Sequence, residues 1–329
     1  MKALIVPLKE AEKAHAQIMK AHALDSRYTI RKEGDHIVFP ITTDLKTRWT
    51  LQERQGVKRA RKPTFSQLAA KIDKEKKAFD IIGDIAIIEA DGTPQDKAYA
   101  QLILDMHKNI KTVLKKKGSH EGEYRTQAYT WVCGEKKKTA THKENGVTIS
   151  LDVEKVYFSP RLSTERKRIC ALIKKGEVVV VMFSGCAPYP VTISKNTDAA
   201  KVYGIELNPH GHEWGTHNVK ANKCRNVELI NGDVRAEYNQ LKGIADRVVM
   251  PLPKQAHTFL AEAVAVCKRH ATIHLYIFDT EAHIKEAATH ALQDITACGA
   301  KGSLLGTHAC GQSKPYEYRW CVDISIKKS

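Results

Sequence analysis

Val178-Val-Val-Val-Met-Phe-Ser-Gly-Cys-Ala-Pro-Tyr189 is the stretch that decides the fold. A continuous apolar run rich in β-branched residues, closed by small residues and a proline, reads as a fully buried strand entering a tight turn. The same texture recurs in Val202-Tyr-Gly-Ile-Glu206, Val227-Glu-Leu-Ile230, Arg247-Val-Val-Met250 and Thr272-Ile-His-Leu-Tyr-Ile-Phe278, with helical patterns between them. Strand and helix in alternation predict a doubly wound parallel sheet. The last apolar segment, Tyr318-Arg-Trp-Cys-Val-Asp-Ile-Ser-Ile326, has strand character and no helix after it, which suits an antiparallel closing strand.

Such sheets bind ligands where strand ends meet the following turns. The small residues of Phe183-Ser-Gly-Cys-Ala187 let the backbone approach a ligand closely. Glu206 ends the second strand, twenty-one residues after Gly185, where an acid suits a bidentate hydrogen bond to the two ribose hydroxyls of an adenosine. In Asn231-Gly-Asp233 a carboxylate is available to the adenine amino group. Each acid taken alone also reads as a strand-end carboxylate; their order and spacing carry the adenosine reading. A single Gly-x-Ala in place of a full dinucleotide fingerprint favours S-adenosylmethionine over NAD.

Upstream the texture differs. Residues 1–53 hold a helical segment, Ala11 to Ala23, and a strand-like run, His36-Ile-Val-Phe-Pro40, preceded by a turn at Gly34. Arg54 to Lys62 reads as a linker. Thr64-Phe-Ser-Gln-Leu-Ala-Ala-Lys-Ile72 is amphipathic and helical, with Thr64 as its N-cap. Phe79 to Glu89 is a pair of strands about Gly83-Asp84. Ala98 to Lys116 reads as a helix ending in lysines, so that Lys115, Lys116 and Lys117 either complement its dipole or contact phosphate.

The 329 residues suffice for two or three domains, and 42% apolar with 27% charged side chains fit an ordinary globular chain. No apolar run approaches a membrane span, and the N-terminus lacks the pattern of a signal peptide, so the cytosol is the expected compartment. The net charge of +16 is unevenly spread: residues 1–62 carry 14 basic and 7 acidic side chains, a surplus of seven. Arg54, Lys58, Arg59, Arg61 and Lys62 fall within nine residues. That patch suits a polyanion such as RNA or DNA; the alternative is a solvated linker. The eight cysteines include no C-x-x-C pair and read as reduced thiols, neither a disulfide frame nor a zinc site.

Larger blocks carry a resemblance. Lys62-Pro-Thr-Phe65, Asp80-Ile-Ile-Gly-Asp-Ile-Ala-Ile-Ile-Glu89, His142-Lys-Glu-Asn-Gly146, Asp152-Val-Glu-Lys-Val-Tyr-Phe-Ser-Pro-Arg-Leu-Ser-Thr-Glu-Arg166, Ile205-Glu-Leu-Asn-Pro-His210, Asn231-Gly-Asp-Val-Arg235, Pro251-Leu-Pro-Lys254 and Tyr316-Glu-Tyr-Arg319 resemble the archaeal and eukaryotic tRNA guanine-N1 methyltransferases that act at position 37. The resemblance implies an α/β chain whose Rossmann-like doubly wound catalytic domain, of the class I methyltransferase type, follows two smaller α/β domains. The expected division is a small N-terminal domain at 1–53, the basic linker at 54–62, an RNA-contacting domain at 63–150 and the S-adenosylmethionine-binding catalytic domain at 151–329. A monomer acting on tRNA without a metal is expected.

Guanine N1 carries a proton, so its lone pair is free only after a base removes that proton and a cation steadies the charge on O6. By the resemblance Glu165 is the base and Arg125, in Gly122-Glu-Tyr-Arg125, faces O6. Arg166, Phe183, Gly185, Glu206, Leu207, Asp233, Val234 and Pro251 form the expected cofactor set. Read without the resemblance, Glu165-Arg-Lys-Arg168 is an ordinary charged helix start.

Three positions depart from the family pattern: Val181 replaces an acid, Ala187 a glycine, and Pro251 the asparagine of an N-x-P-type motif. His210, His212 and His217 sit at spacings of two and five, which do not place three metal ligands on one helical face. Tyr157 and Phe158 read as core residues or as stacking platforms. Two rivals share the fold: a wyosine-pathway alkyltransferase at the same tRNA position, and a tRNA-binding paralogue without catalysis. An NAD oxidoreductase is more distant.

Overall fold

Side chains of Val178–Met182 alternate between two cores: Val180 and Met182 enter one buried cluster, Val179 and Val181 another. A strand buried on both faces belongs inside a sheet covered on both sides. The computed structural model describes residues 1–59, 63–72, 78–89 and 92–328. The chain divides into two compact units, Met1–Thr64 and Phe65–Ser329.

The first unit contains β1 (Lys2–Pro7), α1 (Ala11–Lys20), β2 (Arg31–Glu33), β3 (His36–Pro40) and β4 (Thr50–Glu53). Its strands form an antiparallel sheet in the order β2-β3-β1-β4 around a core of Leu4, Val6, Ile18, Phe39 and Ile41. Residues 54–59, part of the expected linker, are tied to this unit. Arg54 donates to Met1 and Glu33, and the Arg59 amide donates to Arg27. Arg61 and Lys62 lie outside the described residues.

The second unit begins with α2 (Phe65–Ile72), the hairpin of β5 (Phe79–Ile82) and β6 (Ile85–Ile88), α3 (Pro94–Met106), β7 (Thr112–Glu121) and β8 (Thr126–Gly134). Its sheet runs β5-β6-β7-β8, with β6 and β7 parallel and α3 as the crossover. The expected helix through Lys116 is corrected here. It starts earlier, at a Thr93–Asp96 capping box with Pro94 in the first turn, and stops at Met106. Lys115, Lys116 and Lys117 lie on β7, because the β-branched pair Thr112-Val113 leads a strand between β6 and β8. Lys116 pairs with Glu89 at 2.9 Å, so the helix-dipole reading falls away.

Next come β9 (Thr139–Glu144) and β10 (Val147–Asp152), joined by Asn145 and Gly146 at φ +45° and +74°. Positive φ at both central residues is what a two-residue hairpin turn with the right twist needs. The expected boundary at 150 falls inside β10. One core holds Ile82, Ile85 and Leu114 of the four-stranded sheet, Ile149 of β10, and Val191 of the following region together.

The remainder runs α4 (Ser163–Leu172), β11 (Val178–Met182), α5 (Pro188–Asn196), β12 (Lys201–Glu206), α6 (Pro209–Ala221), β13 (Val227–Asn231), α7 (Val234–Glu237), β14 (Ala245–Met250), α8 (Leu260–Val266), β15 (Cys267–Asp279), α9 (Ile284–Ala297), β16 (Ala300–Lys314) and β17 (Glu317–Lys328). The sheet order is β13-β12-β11-β14-β15-β17-β16. The first five strands are parallel, and β17 inserts antiparallel beside β15, as the terminal segment predicted. This is the Rossmann-like class I arrangement expected of the catalytic region. Among the described residues no helix is long and apolar enough to cross a membrane.

Candidate active site

From β11 the chain order proceeds outward in both directions, to β12 on one side and β14 on the other. At such a switch point the turns diverge and leave a crevice. Here it is a cavity of about 400 Å³. Its floor is the turn after β11, where Phe183, Gly185 and Ala187 take φ of +61°, +58° and +61°. Gly185 adopts that conformation freely; Phe183 and Ala187 bear the Cβ cost. Surrounding bonds hold the turn. The Ser184 amide donates to Ile205 O (2.9 Å), and the Gly185 amide to the Glu206 carboxylate. Asn218 of α6 donates to Cys186 O (2.9 Å) and exchanges bonds with Ser150 of β10.

The second oxygen of Glu206 accepts from the Asn208 amide at 2.8 Å. Gly211 lets α6 approach, since a Cβ there would stand 3.0 Å from Glu206 Cγ. Burial lifts the Glu206 carboxyl above the usual carboxylate range, and the two amides oppose that rise. Asp233 caps α7, accepting from the Arg235 amide at 2.8 Å. Leu207, Val234, Phe183 and Phe259 supply apolar wall; Phe183 meets Phe259 edge-on at 4.9 Å, and Arg235 covers Phe259 at 3.9 Å. A buried carboxylate for a diol, a rim carboxylate for an amine and an apolar slot between them fit an adenosine moiety.

The opposite wall comes from the four-stranded sheet and the chain after β10. Arg125 closes the β7–β8 turn at φ +51°, with its guanidinium 5.0 Å from the Tyr157 ring. Burial lowers its pKa, Tyr157 opposes this and Arg319 adds to it; an arginine keeps its charge nonetheless. A second cavity of about 260 Å³ shares Arg125, Tyr157, Phe158 and Ser159 with the first. Arg166 also lines the main cavity, although its side chain is 2% exposed. Its guanidinium engages both oxygens of Glu144 and donates to Ser159 O at 3.0 Å. Burial works against the charge on Glu144, but bonds from His142 and Arg166 hold its carboxyl below the usual range.

Pro251 completes the set: every predicted site residue lines this one cavity except Glu165. Glu165 lies in the first turn of α4, 5% exposed, behind the wall. It accepts from Arg168 through both oxygens (2.7 and 2.8 Å) and from Tyr276 Oη at 2.6 Å. Tyr276 in turn accepts from Tyr189, which does line the cavity, at 2.9 Å.

Reading the residues missed Glu144, Phe259 and Tyr276. Phe259 lies five residues beyond Lys254 of a quoted motif, whereas Glu144 gave no sign of its partner 22 residues on. Tyr157 and Phe158 do line the cavity, each under an arginine. His210, His212 and His217 all lie on α6, where His217 packs edge-on against Trp214. His274, Cys321 and Asp323 cluster at metal-ligand spacing elsewhere, but Arg168 already takes both Asp323 oxygens.

Family patterns match in three places: residues 3–47 fit the tRNA methyltransferase 5 N-terminal domain, 66–137 the TYW2 N-terminal domain, and 140–301 the TRM5/TYW2 methyltransferase domain. A curated relative, tRNA (guanine(37)-N(1))-methyltransferase Trm5b of Pyrococcus abyssi, is 34% identical over 98% of each chain. The crystal structure of Trm5b from Pyrococcus abyssi superposes with a TM-score of 0.82 at 33% identity, covering 99% of both chains. A complex of aTrm5 with tRNALeu gives 0.76 at 27% identity, covering 99% of this chain and 100% of that one. The chain belongs to the TRM5/TYW2 methyltransferase family.

Proposed function

We propose that this protein transfers the methyl group of S-adenosylmethionine to N1 of guanine at position 37 of transfer RNA, in the cytosol. The observation that carries the reading is the cavity. Acids at the ends of β12 and β13, a left-handed glycine turn and two arginines converge there from separate parts of the sequence. Glu206 is suited to hold the ribose hydroxyls, Asp233 the adenine amine, and Leu207, Val234 and Phe183 the ring faces; Gly185 permits close approach and Arg166 stiffens the far wall. Bound there, the cofactor supplies an electrophilic methyl. The chain's own residues handle the base. Arg125, on the rim shared with the second cavity, is placed to meet charge on O6, and Glu165 is the proton's destination. The basic first unit suits the phosphate backbone. The eight cysteines are free thiols, which fits a reducing compartment.

A wyosine-pathway activity is the second reading, favoured by the TYW2-type match over 66–137. Labelled methyl transfer to a tRNA transcript bearing G37 tests the proposal, with transfer lost when G37 becomes A. Label incorporated equally into both transcripts would refute it, and tRNA binding without detectable cofactor binding would favour a non-catalytic paralogue.

A further inference from the structure

Glu165 is buried behind the cavity wall, and two tyrosines span the gap. The Tyr189 hydroxyl donates to Tyr276 Oη at 2.9 Å, and Tyr276 donates to Glu165 Oε1 at 2.6 Å. Both donors point toward Glu165, so the Tyr189 oxygen is the end of the chain farthest from the carboxylate. Tyr189 lines the cavity, whereas Tyr276 is fully buried. A phenol pair enclosed this way is satisfied only by passing its hydrogens in one direction. We infer that Tyr189 and Tyr276 form a proton relay through which Glu165 receives the hydrogen of guanine N1 without entering the cavity. The inference rests on the guanine-N1 reading above.

The N1–H bond breaks and its electron pair stays on the purine, delocalised toward O6 beside Arg125. The proton goes to Tyr189 Oη, the Tyr189 proton to Tyr276 Oη, and the Tyr276 proton to Glu165, which becomes a neutral acid. The reverse path returns it to water once the product has left. Burial raises both phenols well above the usual tyrosine range, so both rest protonated, as a relay requires.

Other groups face Glu165. Arg168 from its own helix binds both oxygens and also Asp323 on β17, which accepts from His274 on β15 and stands 3.3 Å from His308 on β16. Cys310 of β16, which lines the second cavity, hydrogen-bonds Glu165, and Cys321 lies close by; burial raises both thiols. Burial keeps His274 neutral against the pull of Asp323, while hydrogen bonds from His274 and Arg168 outweigh burial and hold Asp323 ionised. These groups fix the carboxylate in place. Among the described residues, only the tyrosines connect it by hydrogen bonds to a residue lining the main cavity.

The test is single-turnover methyl transfer to a G37 transcript by Tyr276→Phe and Tyr189→Phe across pH 6 to 9, alongside Glu165→Gln. Each tyrosine variant should lose roughly a hundredfold in rate, the range of a positioned general base, with unchanged dissociation constants for cofactor and tRNA. Its residual rate should climb about tenfold per pH unit as hydroxide replaces the relay. The wild-type rate in mixed light and heavy water should bow, as two or more moving protons require. A pH-independent loss of rate, or a linear heavy-water response, would mean the tyrosines only pack and would overturn the relay. An inert Glu165→Gln variant beside fully active tyrosine variants overturns the relay but spares the reading. Wild-type protein that methylates no G37 overturns the reading itself.

Discussion

Replacing Glu144 by glutamine should cost more than any other single change beside the cavity. Glu144 and Arg166 have side chains 3% and 2% exposed, and among the described residues Glu144 is the one carboxylate that Arg166 meets. Glutamine keeps the shape but turns an amide nitrogen toward a guanidinium and leaves that charge buried without compensation. Breaking such a pair costs about 3–5 kcal/mol, against a total stability of about 5–15 kcal/mol. Urea unfolding at pH 7 should show the loss as a lower midpoint with an unchanged slope. Because the Glu144 carboxyl is held below its usual value of 4.5, its contribution is present above that value and lost as pH falls through the folded one. The gap between wild type and variant should therefore shrink in acid. Cofactor affinity should fall too, since Arg166 forms part of the wall. Adding Arg166→Met should recover part of the loss, because no charge then stays stranded. A deficit under about 1 kcal/mol, or one equally large at pH 4, would refute the reasoning.

Glu206→Ala should weaken cofactor binding at least tenfold by calorimetry, since each hydrogen bond to a charged group contributes about 1.5–3 kcal/mol; a change below threefold would remove the ribose assignment. Arg125→Ala should slow single-turnover transfer about a hundredfold with tRNA affinity little changed, as loss of a charge-stabilising donor does. Equal losses in rate and binding would make Arg125 a phosphate contact instead. Pro251→Asn should tighten cofactor binding about fivefold by restoring a polar side chain worth about 1 kcal/mol, and no gain would show that the loop never used one.

The sheet was legible because continuous apolar runs separated by helical periods have few alternative packings, and β11 to β15 fall where that texture placed them. The cofactor wall was legible for the same reason: strand ends of a parallel sheet occur in known order, so Gly185, Glu206 and Asp233 had to converge. Lys115 to Lys117 were misplaced because a charged run carries no period of its own, and the parallel pairing of β7 with β6 is a long-range fact. The left-handed backbone at Phe183 and Ala187 is equally invisible, since neither residue type signals it. Glu165 was found through family likeness, and its seat behind the wall follows from Tyr276 and Asp323, far away in sequence.

Mass spectrometry of tRNA nucleosides after incubation with this protein and S-adenosylmethionine reaches the central claim most directly. The expected product is 1-methylguanosine derived from position 37, absent with Glu165→Gln. Bound cofactor with no new methylated nucleoside, or a methyl group on any atom but N1, would contradict it.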